Sequence, residues 1–276
     1  MLGQDLAPQL EARHELLPVD LPEVDITDAD AMAQSVDIGK PDVVIHAAAF
    51  TAVDDCECQA KRAFLVNSTG TRHVALACRR AGVPMLYIST DYVFDGEKNG
   101  PYLENDRTNP LNIYGKSKLE GECHVRELVP RFWIVRTSWL FGPLGKNFVQ
   151  TILGGVRAGE ALRIVDDQVG APTYTVDLAA KLLEIIETGG PGVYHVTNQK
   201  YCSWFEFSKE IARQAGFAQA EISPVPTSAS DRLARRPLNS RLANTRLESE
   251  GLSLLPAWTD ALARYLEREA RAGARA

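Results

Sequence analysis

The segment Pro84-Met-Leu-Tyr-Ile-Ser-Thr90 decides the fold that the sequence predicts. It is a strand-length apolar run, and similar runs occupy residues 42–49 and 132–137. Strands that are apolar on both faces are typical of parallel sheets that helices cover. Helical patterns separate these runs, over residues 57–81 and from residue 114 onward. This alternation predicts an α/β fold with right-handed crossovers.

The pattern becomes less regular after Gly142, although further elements are still indicated. The expected helices cover residues 148–158, 176–187 and 204–215, and a strand is expected over residues 192–197. We expect a Rossmann-type, doubly wound parallel sheet in a dinucleotide-binding domain over residues 1–145. A smaller C-terminal α/β lobe over residues 146–276 would bind the substrate, with residues 190–198 or so returning to the main sheet.

Composition excludes several classes of protein. The chain has 276 residues, of which 45% are hydrophobic and 24% charged, and its net charge is −6. A nucleic-acid-binding protein is normally basic, so nucleic acid is not an expected partner. No apolar run is long enough for a membrane span, and the N-terminus does not resemble an export signal. The five cysteines are scattered, and no second pair accompanies Cys56 and Cys58, so we expect no metal site and a reduced, cytoplasmic protein.

Tyr114 and Lys118 are the strongest candidates for catalysis. Side chains four residues apart on a helix lie on the same face. A neighbouring ammonium favours the phenolate and is therefore expected to lower the pKa of Tyr114, so that its hydroxyl can exchange a proton with a substrate oxygen. The alternative is an exposed amphipathic pair without a catalytic role.

The predicted strand ends supply further candidates, because ligands bind outside the carboxyl ends of strands in open parallel sheets. Ser89, Thr90 and Asp91 follow one strand and could hydrogen-bond a carbonyl, or they could form an ordinary polar turn. Ala47, Ala48 and Ala49 end another strand, where small side chains would leave room for a flat ligand or for close helix packing.

Asp20 follows the apolar residues 16–19 and is expected to end a second strand, where an acidic residue commonly holds a ribose hydroxyl. Asp28 is expected to cap the helix that follows it. We expect His46 and Asn67 to be buried and hydrogen-bonded. Trp139 could cover a sugar ring or belong to the core.

Seven segments, in order along nearly the whole chain, resemble the dTDP-4-dehydrorhamnose reductase family of extended short-chain dehydrogenases/reductases. They are His46–Asp54, Ile88–Gly96, Pro110–Gly121, Arg136–Gly142, Asp167–Thr173, Arg236–Ser240 and Leu255–Trp258. The combination of Ser-Thr-Asp-Tyr-Val-Phe-Asp-Gly with Tyr-Gly-Lys-Ser-Lys is far more specific than a tyrosine and a lysine four residues apart.

The resemblance implies reduction of the C4 keto group of dTDP-4-dehydro-L-rhamnose by NADPH or NADH, which gives dTDP-L-rhamnose. Tyr114 would protonate the C4 oxygen, Lys118 would hold the nicotinamide ribose, and Thr90 would hydrogen-bond the reacting oxygen. Asp91, Tyr92 and Trp139, with Thr90 and Tyr114, would line the sugar pocket. The cofactor-binding positions would be Gly3, Asp20, Asp25, Ile26, Ala49, Phe50, Thr51, Ile88, Tyr114 and Lys118. The resemblance also allows a magnesium ion and a homodimer.

The chain departs from this family at its start. Of the family's first strand and G-x-x-G-x-x-G loop, only Gly3 is present, so we expect the natural reading frame to begin about a dozen residues upstream, because loss of a central strand would cost much of a domain's stability. Two alternatives stay open: another sugar-nucleotide enzyme, such as an epimerase of the same superfamily, and a non-catalytic subunit like the regulatory subunit of methionine adenosyltransferase.

Overall fold

The computed structural model describes residues 1–273. The strands are β1 (Val44–His46), β2 (Met85–Thr90), β3 (Phe132–Thr137), β4 (Leu140–Phe141), β5 (Leu162–Val165), β6 (Val169–Gly170), β7 (Thr173–Tyr174), β8 (Gly192–His195), β9 (Cys202–Ser203) and β10 (Ile222–Val225). The α-helices are α1 (Leu2–Glu11), α2 (Ala29–Gly39), α3 (Val53–Cys58), α4 (Ala60–Phe64), α5 (Thr71–Ala81), α6 (Ile113–Leu128), α7 (Phe148–Arg157), α8 (Thr175–Thr188), α9 (Trp204–Gln214), α10 (Thr245–Ser249) and α11 (Trp258–Gly273).

The main sheet is parallel and has four strands in the order β1-β2-β3-β8. Successive residues of its central strands point to opposite faces. Leu86, Trp133 and Val135 pack on one face with residues of α1 and α8. Tyr87 and Ile134 pack on the other face with residues of α2, α5 and α6. The predicted α/β fold, with helices on both faces of a parallel sheet, is therefore confirmed.

The helical region before β2 is interrupted more often than the sequence predicts. The expected helix over residues 57–81 consists of α3, α4, a π-helix (Leu65–Gly70) and α5. The last of these ends, as expected, at Gly82, whose left-handed φ of 70° a residue with a side chain rarely adopts. The π-helix contains Asn67, and such wide turns are frequent at functional sites.

The strand that we expected to end at Asp20 is absent. Residues 15–20 form no regular element, and Leu17 and Val19 are about half exposed, at 51% and 47%. A strand needs a hydrogen-bonded neighbour, and β1 pairs only with β2 among the described residues. The prediction was wrong because an apolar run without such a neighbour does not form a strand. The strand predicted over residues 42–49 is likewise shorter, at Val44–His46.

The C-terminal half contributes a second core around Phe141, Phe207 and Tyr265, packed between α7, α9 and α11. Small sheets lie beside it, formed by β4 with β7, β5 with β10, and β6 with β9. However, α8 packs on the main sheet with α1, and β8 extends that sheet. The domain boundary at residue 145 therefore stays a prediction. No helix within residues 1–273 is both long enough and apolar enough to cross a membrane.

Candidate active site

Thr90 ends β2 and Asp91 follows it directly, and both residues are buried. The Thr90 hydroxyl accepts a hydrogen bond from the Tyr92 amide (3.2 Å) and donates to Oδ1 of Asp91 (3.0 Å). Ser89, in contrast, points away from the site and donates to Glu122. Thr90 and Asp91 therefore stay candidates for the site, whereas the Ser89 hydroxyl is bound to α6.

Helix α6 carries Tyr114 in its first turn, and its N-terminus is held from two sides. The Asn112 side chain accepts from the Gly115 amide (2.8 Å), and Glu57 accepts from the Ile113 amide (2.8 Å). A Cβ on Gly115 would lie 2.1 Å from the Tyr92 carbonyl oxygen, so only glycine allows this approach of α6 to the end of β2. As a result the ring of Tyr114 lies 5.9 Å from that of Tyr92, edge to face.

Lys118 lies one turn further along α6 and is almost completely buried. Its ammonium donates to the carbonyl oxygen of Ile88 (2.7 Å) and lies 4.0 Å from the ring centre of Tyr87. Burial disfavours the charged form and lowers the pKa of Lys118 to about 7. Tyr114 and Lys118 thus lie one turn apart on α6, and their shared role in the site stays a prediction.

The predicted lowering of the pKa of Tyr114 by Lys118 is not found. Burial raises the pKa of Tyr114 above its ordinary value, the hydrogen bond with Thr90 opposes this rise, and the charge of Asp91 adds to it. The Lys118 ammonium is directed at Ile88 and is itself partly neutralised near pH 7. Desolvation therefore outweighs the attraction that we expected from sequence spacing.

Asp91 has the most unusual environment of the site. Its side chain is buried, and Oδ2 has no hydrogen-bond partner among the described residues. Burial raises the pKa of Asp91 to about 7, although hydrogen bonds with Ser240 and Thr90 oppose the rise. A buried carboxylate oxygen without a hydrogen-bond partner, next to Thr90, is typical of a ligand-binding or catalytic site.

Residues 47–51, which follow β1, form the second part of the candidate site. Ala47, Ala48 and Thr51 are exposed, and Ala49 and Phe50 are partly buried. Asn67 holds this segment in place: its Oδ1 accepts from the Phe50 amide (2.7 Å), and its Nδ2 donates to the Phe50 carbonyl (3.0 Å) and to Ser117 on α6 (3.0 Å).

The buried positions predicted for His46 and Asn67 are confirmed. The imidazole of His46 lies 3.1 Å from the hydroxyl of Thr71, and burial lowers its pKa to about 3. His46 is therefore a neutral core residue rather than a candidate base.

The other predicted cofactor residues are exposed or lie near the surface. Gly3 is exposed in the first turn of α1. Asp20 is exposed, and its side chain accepts from the amide of its neighbour Leu21. Asp25 accepts from the Thr27 amide (2.8 Å), while Ile26 packs on Gly70 of the π-helix. Within residues 1–273, the hydrogen bonds of Asp20 are with Leu21 and Val24, neither of which is a predicted site residue. Asp28 caps α2 as expected, accepting from two amides.

Trp139 lies on the side of the C-terminal half and has a left-handed backbone conformation, with φ of 49°. Its ring stacks on Trp204, with centres 3.6 Å apart, and packs so closely on Gly170 that a Cβ there would lie 2.5 Å from the indole. Packing thus accounts for most of the Trp139 surface, although the side chain keeps partial exposure.

Sequence reasoning did not predict two sets of ion-paired residues near the site, one around Asp54 and one around Glu122. Asp54, at the start of α3, is paired with Arg236 (2.9 Å) and Arg232 (3.2 Å), which connects α3 to the C-terminal half. Glu122 and Arg136 form a buried pair at 2.7 Å. An arginine inside the apolar strand Phe132–Thr137 was a usable signal, since a buried charge requires a partner.

Comparison with known proteins agrees with this geometry. A family model described as RmlD substrate binding domain matches residues 1–271. The chain belongs to this family.

Among its relatives, a dTDP-4-dehydrorhamnose reductase of Aggregatibacter actinomycetemcomitans is 41% identical, covering 90% of this chain and 88% of that protein. The spore coat polysaccharide biosynthesis protein SpsK of Bacillus subtilis is 39% identical, covering 98% of this chain and 95% of the relative. The crystal structure of a Bacillus anthracis dTDP-4-dehydrorhamnose reductase in complex with NADP is 38% identical, with a TM-score of 0.94, covering 97% and 95% of the two chains. This family membership agrees with the resemblance found in the motifs.

The residues present fit a dinucleotide better than a metal ion. Within residues 1–273, no group of three or more His, Cys, Asp or Glu is placed to hold a metal. In contrast, Ala47 and Ala48 leave an open, small-residue surface at the end of β1, on the same sheet edge as Thr90. A flat ring can lie against such a surface, beside the buried Lys118.

Proposed function

We propose that the protein reduces the C4 keto group of dTDP-4-dehydro-L-rhamnose, with NADPH or NADH as the reductant. The observation that supports this most directly is the hydrogen bond between Tyr114 and Thr90, with Lys118 buried one helical turn beyond Tyr114. Thr90 lies at the end of β2, whereas Tyr114 and Lys118 lie on α6. Only a glycine at position 115 allows α6 to approach the end of β2 this closely. The names of the relatives in the RmlD family point to the same reaction.

In the proposed reaction, Thr90 and Tyr114 bind the keto oxygen of the sugar. When bound, the nicotinamide supplies a hydride to the carbonyl carbon. Tyr114 then gives its hydroxyl proton to the oxygen, so that the carbonyl becomes an alcohol and the tyrosine becomes a phenolate. The raised pKa of Tyr114 keeps the hydroxyl protonated before the reaction. Lys118 would stabilise the phenolate that forms and would hold the nicotinamide ribose.

The cofactor would lie along the carboxyl edge of the main sheet, beyond β1 and β2. Ala49, Phe50, Thr51 and Ile88 would contact it there. Gly3 at the start of α1 would lie near the diphosphate, and Asp25 and Ile26 near the adenosine end. Asp20, which is exposed, would bind a hydroxyl of the adenosine ribose.

The sugar nucleotide would bind between the sheet edge and the C-terminal half. Asp91, Tyr92 and Trp139 would line its sugar pocket together with Thr90 and Tyr114. We also propose a cytoplasmic location, in keeping with the scattered cysteines. A homodimer and a bound magnesium ion rest on the family resemblance alone.

The decisive experiment follows the absorbance of NADPH or NADH at 340 nm with dTDP-4-dehydro-L-rhamnose and the purified protein. A reductase consumes one reduced nicotinamide per sugar, whereas an epimerase shows no net consumption and a regulatory subunit shows no turnover. Absence of consumption by the folded protein with either nucleotide would refute the proposed function.

A further inference from the structure

Glu122 is a completely buried carboxylate on α6, one helical turn beyond Lys118. Its Oε1 accepts from the Ser89 hydroxyl (2.6 Å) and from Nε of Arg136 (2.8 Å). Its Oε2 accepts from Arg136 (2.7 Å) and from Arg126 (3.2 Å). Every strong partner of this carboxylate thus belongs to β2, to β3 or to α6 itself.

These bonds attach α6 to the main sheet at two levels. At the level of Lys118, the ammonium binds the carbonyl of Ile88. One turn further, Glu122 binds Ser89, the residue that directly precedes Thr90. The same carboxylate binds Arg136, which β3 holds beside Ser89 in parallel register. The helix that carries Tyr114 and Lys118 therefore cannot slide relative to Thr90 without breaking a buried ion pair.

We propose that Glu122, bound to Ser89 and Arg136, is a positioning residue that sets the distance of Tyr114 and Lys118 from Thr90 and favours the charged form of Lys118, one helical turn away. The inference rests on the proposed function where activity is concerned. Glu122 itself touches neither Thr90 nor Tyr114, so its effect on the reaction is transmitted through α6 and β2.

The charge of Glu122 matters because, among the described residues, no other anionic side chain acts on the Lys118 ammonium. His46 on β1 is neutral, since burial lowers its pKa to about 3. Burial keeps Tyr87 on β2 and Tyr114 on α6 protonated by raising the pKa of each. Burial also opposes the ionisation of Glu122, but the Arg136 guanidinium outweighs it and holds the pKa of the carboxyl below its ordinary value.

Glu122 is therefore an anion and acts directly on its neighbour. Burial lowers the pKa of Lys118 to about 7, and the negative charge of Glu122 limits that fall. A buried ion pair by itself often adds little to folding stability compared with apolar side chains of the same size. We therefore assign the pair a function other than stability. It positions α6, and the charge of Glu122 favours the charged form of Lys118.

The test compares Glu122→Gln with Glu127→Gln, a matched change at an exposed position of the same helix. The ionisation of Lys118 is measured by an NMR titration of its ¹³C-labelled ε-carbon, a readout that needs neither cofactor nor substrate. Activity is measured from pH 5.5 to 9, and folding by thermal denaturation.

We expect Glu122→Gln to lower the titration midpoint of Lys118 by about one pH unit, because an opposite charge one turn away is lost. The decline of activity at high pH should move to lower pH by the same amount. In addition, kcat should fall on the order of 10- to 100-fold. Glu122→Asp, which retains the charge on a shorter side chain, should keep the wild-type midpoint while kcat still falls. Glu127→Gln should match the wild type in all three measurements.

A Lys118 midpoint and pH profile in Glu122→Gln equal to those of Glu127→Gln would overturn the inference. If Glu122→Gln does not fold, Ser89→Ala removes one bond to the carboxylate and keeps the ion pair. A kcat about 3- to 10-fold lower is then expected, and a wild-type kcat would overturn the positioning role. A wild-type protein without reductase activity refutes the proposed function instead, while the NMR midpoints still decide the inference on charge.

Discussion

Replacement of Asp91 by Asn should change how the stability of this protein depends on pH. The carboxyl of Asp91 is buried, its Oδ2 has no partner among the described residues, and burial raises its pKa to about 7 from an ordinary value of 3.8. The folded state therefore keeps a proton on Asp91 at pH values where the unfolded chain has released it. Between about pH 4 and pH 7 this group makes the protein less stable as the pH rises.

The size of the effect follows from the two pKa values. Their difference is about 3, and each unit corresponds to about 1.4 kcal/mol. The penalty at pH 8 is therefore at most about 4 kcal/mol, and smaller if water reaches Oδ2 in solution. Asparagine has a similar size and does not ionise, so Asp91→Asn removes the penalty.

Urea denaturation of the wild type and of Asp91→Asn, measured at several pH values from 4.5 to 8.5, checks this expectation. The free energies of unfolding should diverge as the pH rises, with the variant more stable above pH 7 by one to a few kcal/mol, on the order of the linkage limit. Parallel curves over the whole range would refute the reasoning, because they would show that Asp91 has the same pKa in both states.

Three further changes test the site and its support. Tyr114→Phe should lower kcat by at least about 100-fold through loss of the proton donor, with nearly unchanged NADPH affinity measured by fluorescence titration. Gly115→Ala should destabilise the protein by roughly 1–3 kcal/mol in urea denaturation, since its Cβ would lie 2.1 Å from a backbone oxygen. Asp54→Asn should cost on the order of 1 kcal/mol of stability by weakening two ion pairs, and should raise KM for the sugar nucleotide.

Matched controls separate these effects from general damage. Gly154→Ala changes a glycine of α7 whose Cβ would meet nothing within 4 Å, so it should leave stability unchanged or higher. Asp37→Asn breaks an exposed ion pair with Arg80 and should have little effect. A Gly115→Ala variant as stable as Gly154→Ala would contradict the packing argument. Near-normal turnover in Tyr114→Phe would contradict its assignment as the proton donor.

The sequence predicted local features whose causes are themselves local. The apolar runs at β2 and β3 form strands at or within one residue of the predicted bounds, and Asp28 caps α2. The motifs identified the family as well, because the match extends over most of the chain. The expected strand ending at Asp20 failed, since a strand depends on a neighbour that its own residues do not supply.

By itself, then, the sequence determined the fold class, the family and the residue types that could perform the reaction. It could not determine the ionisation of those residues. The spacing of Tyr114 and Lys118 predicted a lowered tyrosine pKa, whereas the folded site raises it by burial. The tertiary structure also decided which distant charges meet, as in the pairing of Glu122 with Arg136. Desolvation and long-range pairing depend on packing between separate elements, and a linear pattern contains neither.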